Sequence, residues 1–371
     1  MSFSWNAFSP ILISIDIVAL FFAGGCLVWR FKRVGGLPAQ PVWVTLKTFR
    51  EAFLLSVIPW MMGVLILSKH GILGLALLSR VLWTLATVGV PLTALALLFR
   101  WRKSWLWLLV LVPLAFKYYG EVWEPGNLEV ERMRIQCEGL RNPVRIVHLS
   151  DLQTDGIGKM QLAARDAAND FDPHLVFFTG DVLNHPTLTD SVEAYLNGFR
   201  SKAGAFFVTG NVDGMLDVPS FCSAAGLEDL GGKARLLDVD GSRIGIMGLD
   251  LWDFADTRVL GSLVSQTAGA DVRLLLSHVP DTLKIANSCP IDVLFAGHTH
   301  GGQVALPFMG PLLTMSNAPR SITRGGLHQV GNLRVIVSRG LGWEGHIAPR
   351  VRLFCRPHLI LIELVPPPRL R

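Results

Sequence analysis

Apolar and polar positions divide the chain into two kinds of pattern. Over the first 120 residues the apolar positions form long runs without a period, at 10–29, 52–67, 71–99 and 105–119. A helix crossing a bilayer needs about 20 predominantly apolar residues. The first and third runs are long enough, the second is marginal and the fourth is short. From Asn127 the pattern changes to short apolar runs separated by stretches with helical spacing, the alternation of an α/β domain. Strands are expected at 144–149, 174–178, 205–208, 272–276, 293–296, 333–337 and 359–364. Helices are expected over 159–170 and through Val192, Tyr195, Leu196 and Phe199. Residues 235–239 and 243–247 flank Asp240-Gly241, whose type I′ preference predicts a hairpin. The division that follows is 1–120 transmembrane helices (about four spans), 121–140 a linker with a lead-in strand, and 141–371 an α/β domain.

Composition strengthens the membrane reading. Half of the residues are hydrophobic and 17% are charged, with a mean hydropathy of +0.42; soluble chains carry about 25% charge. The net charge of +5 arises from basic residues between apolar runs, a membrane-flank pattern, and no nucleic-acid partner is expected. No Lys or Arg precedes the first run, which argues against a cleaved signal peptide. Asp16 and Arg80 fall inside runs, where pairing or snorkelling would offset the cost of a charge. The first loop carries Arg30, Lys32, Arg33, Lys47 and Arg50, and the third carries Arg100, Arg102 and Lys103. Glu121, Glu124, Glu129 and Glu131 follow the fourth run. With four spans, the positive-inside rule makes this a multi-pass cell-membrane protein whose α/β domain lies outside the cytoplasm. Five cysteines, none in Cys-x-x-Cys spacing, give no zinc or redox signature.

The candidate chemistry lies just beyond the strands. Val293–Ala296 ends in Gly297-His298-Thr299-His300-Gly301-Gly302. In an extended segment the two imidazoles would point the same way, towards one centre. Earlier strands deliver Asp151 and Gln153, Asp181, Asn211, and His278. Ligands gather at the carboxyl ends of strands in α/β sheets, so these groups can share one crevice. Carboxylates, amides and imidazoles without a thiolate suit divalent ions of the Mn, Fe or Zn class. Seven ligands exceed the need of one tetrahedral ion, which makes two ions the natural count.

The order Asp-x-Gln, Gly-Asp, Gly-Asn-Val-Asp, His and Gly-His-x-His over about 140–365 resembles the calcineurin-like metallophosphoesterase superfamily. Within it, Gly-His-x-His-Gly-Gly-Gln and the late Ser-Arg-Gly-Leu-Gly resemble the bacterial membrane-associated branch. The resemblance implies a four-layer α/β/β/α sandwich with two metals. One would be held by Asp151, Gln153, Asp181 and His300, and the other by Asp181, Asn211, His278 and His298. Gln153 replaces a histidine of the pattern. Val212 replaces another, the one that contacts substrate and helps the leaving group, and Asp213 is thereby left a structural role. His185 and Arg339 are candidates for binding phosphate, with Asn211 and Arg339 the expected catalytic pair. The expected function is hydrolysis of a phosphodiester or pyrophosphate, with the lipid bilayer and a phosphoester substrate as partners. A cytoplasm-facing nucleotide-lipid pyrophosphatase and a non-catalytic membrane scaffold are the competing readings.

Overall fold

The computed structural model describes residues 72–101, 103–344 and 348–368. The first two apolar runs and Asp16 lie outside the described residues. The described chain divides into two compact units. One ends at Tyr119 and takes in residues 348–350; the other runs Gly120–Glu344 and resumes at Val351.

In the first unit, helix Ile72–Thr84 passes through a π turn, Leu85–Gly89, into Val90–Trp101, and Leu106–Tyr118 follows. Ala76–Leu95 (20 residues) and Leu106–Trp123 (18 residues) are long and apolar enough to cross a membrane, with 17% of each buried. The hydroxyls of Ser79, Thr87 and Thr93 donate to carbonyls of the preceding turn, so these polar groups are satisfied within their own helices. The fourth apolar run is longer than its sequence suggests, because a π turn, Tyr119–Trp123, continues Leu106–Tyr118. At a rise of about 1.5 Å per residue it reaches ~27 Å, close to the ~30 Å of a hydrocarbon core.

The second unit holds the strands β1 Glu129–Gln136, β2 Val144–Leu149, β3 Leu175–Phe178, β4 Gly204–Phe207 and β5 Glu228–Asp229. They continue as β6 Ala234–Val239, β7 Ser242–Gly248, β8 Val272–Leu276, β9 Val293–Ala296 and β10 Ala305–Leu306. The last are β11 Gly310–Pro311, β12 Gly326–Val330, β13 Leu333–Val337 and β14 His358–Val365. One six-stranded sheet has the order β1-β14-β2-β3-β4-β5 and the other β12-β13-β9-β8-β7-β6. The central strands β2, β3 and β4 run parallel in the first, and β7, β8, β9 and β13 in the second.

Side-chain alternation makes the layers. Leu175 and Phe177 of β3 pack between the sheets with Leu274, Leu276 and Phe295. Val176 and Phe178 face the other way, onto a cluster with Ala164, Leu196 and Phe221 of the helices Lys159–Asp170, Thr189–Asn197 and Val218–Ala225. Leu275 and Leu294 likewise meet Leu260 and Leu263 of Thr257–Gln266. Both faces of each central strand are covered, which is why these strands read as unbroken apolar runs. The result is helices, sheet, sheet, helices. The Asp240-Gly241 hairpin forms as expected: Val239 pairs with Ser242, and both turn residues have positive φ (48° and 79°).

Candidate metal centre

The carboxyl ends of the parallel strands of both sheets meet, and their loops are tied together by main-chain bonds. Asp151 N–H donates to the Gly180 carbonyl (2.9 Å), and Gly342 N–H to the Asp151 carbonyl (2.8 Å). Gly297 N–H donates to His278 (2.9 Å), and His298 N–H to both Asp151 oxygens (3.1 and 3.0 Å). Such close crossing demands glycine. A Cβ on Gly297 would lie 1.8 Å from Ser150 Oγ, and one on Gly210 would lie 2.2 Å from Asp181 Oδ1. Among the described non-glycine residues with positive φ are Asp151, Gln153, Asp181, His298 and His300. Left-handed backbone costs about 1–2 kcal/mol per residue, and its concentration on these side chains marks a functional site.

Two groups of ligand atoms converge: Asp151, Asp181 and His300, and Asp181, His278 and His298. Within each group the atoms lie within 4.8 Å of one another, and Asp181 is common to both. His300 Nε2 is 3.3 Å from Asp151 Oδ1, and His278 Nε2 is 3.3 Å from Asp181 Oδ2. Asn211 Oδ1 joins the second group, 3.0 Å from His278 Nε2 and 2.8 Å from His298 Nδ1. Gln153 joins the first through Nε2, which donates to Asp181 Oδ2 (2.9 Å).

This donor set fits divalent cations on three grounds. Gln153 Oε1 is buried without a hydrogen-bond partner, an acceptor with nothing to accept. The outer nitrogens of two histidines are spoken for: His278 Nδ1–H donates to the Thr179 carbonyl (2.7 Å) and His298 Nε2–H to the Met315 carbonyl (2.9 Å). Those bonds fix the tautomers and turn the lone pairs of His278 Nε2 and His298 Nδ1, 3.2 Å apart, towards Asn211. Electrostatics agree. Burial disfavours a charge on His278, yet Asp181, by charge and hydrogen bond, and then Asp151 push its pKa up to about 10. The carboxylates demand positive charge here.

Residues 144–302 match the family model for calcineurin-like phosphoesterases. Over those residues the chain is similar to that family. It is 31% identical over 182 residues to a metallophosphoesterase of Bacillus subtilis, YkuE, covering 47% of this chain and 63% of that protein. It thus spans less than two thirds of that relative. The phosphodiesterase YaeI of Escherichia coli is 26% identical over 265 residues, 67% of this chain and 92% of that protein. The UDP-2,3-diacylglucosamine pyrophosphatase LpxG of Chlamydia muridarum is 33% identical over 97 residues, 24% of this chain and 28% of that protein.

Within this domain the sequence expectations fare unevenly. Asp151, Gln153, Asp181, Asn211, His278, His298 and His300 are brought together. The two His-x-His imidazoles do not share one centre from an extended segment, however. β9 ends at Ala296, and His298 (φ 68°) and His300 (φ 47°) turn into different groups. The Arg339 guanidinium forms an ion pair with Glu129 of β1 (2.9 Å), and its stem lies over Gly325 and over Gly301, the residue after His300. His185 is half-buried before the short turn Pro186–Leu188.

Asp213 is fully buried and accepts three main-chain N–H groups, from Asp181 (2.7 Å), Val182 (2.9 Å) and Gly210 (2.8 Å). Burial, and then the charge of Asp181, push its carboxyl up to about 6. Val212 is partly exposed and offers the site only its N–H, to Asp181 Oδ1 (2.9 Å).

Two contributors escaped sequence reasoning. Met315 acts through its carbonyl, which any residue could supply. Arg352 is fully buried and donates to the carbonyls of Gly342 (3.0 Å), Cys355 (3.1 Å), Arg339 (2.8 Å) and Gly340 (3.2 Å). It fixes the turn that bonds to Ser150 and Asp151. The only signal was an arginine within the apolar stretch Val351-Arg352-Leu353-Phe354.

Proposed function

We propose that the chain is a membrane-anchored, two-metal phosphoesterase that hydrolyses a phosphodiester or a pyrophosphate. The observation that carries this reading is the pair of ligand groups sharing Asp181. Divalent ions of the Mn, Fe or Zn class, when bound, supply Lewis-acid polarisation of the phosphoryl group and activation of water. Asp151, Gln153, Asp181 and His300 would hold one ion, and Asp181, Asn211, His278 and His298 the other. Asn211 turns Oδ1 inward and is exposed, which leaves its Nδ2 to donate to a phosphoryl oxygen as charge develops. Valine at 212 can neither bind phosphate nor donate a proton, which favours leaving groups that depart without general-acid help.

The purified full chain, supplied with Mn, Fe, Zn or Co, is expected to hydrolyse a generic aryl phosphodiester. Chelation should abolish turnover and lower the unfolding midpoint of the domain by about 5–10 °C, since ligand at ~100 Kd is worth about 2.7 kcal/mol. Turnover no higher than that of Asp181→Asn with every metal would establish the scaffold reading instead.

On this reading the domain lies outside the cytoplasm, in a multi-pass cell-membrane protein. Arg100 and Lys103 lie between the two apolar helices, and a cytoplasmic position for them puts the chain after Trp123 on the other side. An exposed single cysteine, Glu138→Cys in a cysteine-free variant, should react with an impermeant maleimide in intact cells. Reaction only after lysis would favour a cytoplasm-facing pyrophosphatase, the activity named for the Chlamydia relative.

A further inference from the structure

Next to the ligand groups stands an apolar projection that the hydrolytic reading does not use. Strands β10 and β11 form a small antiparallel hairpin. Leu306, Phe308, Met309, Leu312, Leu313 and Met315, on it and just beyond it, are all exposed. Phe308 at the tip is fully exposed and has φ 68°, two costs that folding alone does not repay. The segment returns to the site at Met315, whose carbonyl accepts from His298 Nε2 (2.9 Å).

The foot of the hairpin lies close to where the chain enters this unit. Ala305 N–H donates to the Leu353 carbonyl (2.9 Å), and Leu353 N–H to that of Gln303 (2.8 Å). The neighbouring Arg352 N–H donates to Gly120 (2.9 Å), and Cys355 N–H to Glu124 Oε1 (2.7 Å). Gly120 and Glu124 bracket the end of the apolar run Leu106–Trp123, where Val122 and Trp123 are again exposed. The hairpin and the exposed Val122 and Trp123 therefore belong to one unit, and the chain enters that unit at Gly120, directly after an apolar stretch long enough to cross a bilayer. Charge points the same way. No acidic residue occurs between Asp292 and Glu344, while Arg320 and Arg324 near the hairpin are exposed. That sign suits anionic lipid headgroups.

We propose that the hairpin and its continuation to Met315 dip into the surface of the bilayer that anchors the chain, holding the metal ligands at headgroup level. The proposal rests on membrane anchoring as read above. Apolar and aromatic side chains with basic residues behind them are the makings of an interfacial contact. A phosphoester at the lipid surface would then meet the ligands without leaving the membrane.

The test uses the full chain reconstituted in vesicles of phosphatidylethanolamine and phosphatidylglycerol. An environment-sensitive fluorophore is attached to Phe308→Cys, or to Glu138→Cys at the far end of β1, in a background without native cysteines. Doxyl-labelled lipid should quench the probe at 308 and leave the probe at 138 unchanged. Equal quenching at both positions, or none at 308, overturns the proposal. So does a chain that stays free of the vesicles, or quenching at 308 that depends on protein density, the mark of a second copy on the hairpin. A second arm compares Phe308→Asp/Leu313→Asp with the parent. Hydrolysis of a lipid-anchored aryl phosphodiester should fall about tenfold, with that of a soluble one unchanged; an equal fall on both overturns the proposal. Because quenching is read without turnover, an inactive chain with a quenched hairpin would sink the hydrolytic reading alone.

Discussion

Asp181→Asn should lower kcat on an aryl phosphodiester by at least about 10³-fold, because one residue serves both ligand groups. The substitution keeps the shape and one oxygen but removes the negative charge. Its Oδ2 is 3.3 Å from His278 Nε2 and accepts from Gln153, and its Oδ1 accepts from Val212 N–H. An amide must turn its NH2 towards one of those sides, facing either a donor or a nitrogen whose lone pair is needed. Metal content should therefore fall in both groups at once. His300→Ala is the contrast, since His300 belongs to one group only, and it should empty that site before the other. Elemental analysis of the two variants beside kcat checks the claim. Asp181→Asn with the parent's turnover and metal content would show that the shared carboxylate is not the keystone.

The parts of this arrangement that were legible in the sequence are those that burial writes into it. β8, β9 and β13 read as strands because both their faces are covered, so that Leu274 and Leu275 are apolar for different neighbours. The ligands were legible because each follows such a run. Edge strands were legible only where something else announced them, β6 through the Asp240-Gly241 turn and β1 no more closely than a lead-in strand within 121–140. β1 reads Glu-Val-Glu-Arg-Met-Arg-Ile-Gln, and among the described residues its partner is β14 alone; an edge strand with one solvated face has no apolar run to fix its limits. β5 is two residues long and borrows its existence from β4. The His-x-His geometry failed for a local reason. Period-two reasoning holds only while the backbone is extended, and positive φ at His298 and His300 ends that at Ala296. The ion pair of Arg339 was hidden for a distant one. Its partner Glu129 lies more than two hundred residues earlier, and only the pairing of β1 with β14 brings that edge to the loop.

Asp213→Ala should destabilise the domain by about 3–6 kcal/mol, the second large effect, without removing a ligand. Three N–H groups, of Asp181, Val182 and Gly210, converge on this carboxylate in a fully buried position. Each loses its acceptor on truncation, at a cost of about 1–3 kcal/mol where water cannot replace it. Part of that sum is returned, because burial and Asp181 already disfavour the charge, as the rise of the carboxyl to about 6 records. An unfolding midpoint lower by roughly 10–20 °C is therefore expected in the detergent-solubilised, metal-loaded chain. Asp213→Asn separates the two contributions. It removes the charge and keeps an oxygen for the Asp181 and Gly210 N–H groups, which share Oδ2, while its NH2 opposes only Val182 N–H. Its midpoint should lie between parent and alanine variant, nearer the parent. The mechanism predicts more than lost stability, because two of the three N–H groups flank Asp181 in the chain. Loosening that turn should weaken metal binding in both groups even below the unfolding temperature. An alanine variant within about 2 °C of the parent, with undiminished metal content, would show that water takes over the three N–H groups and that the clamp is dispensable.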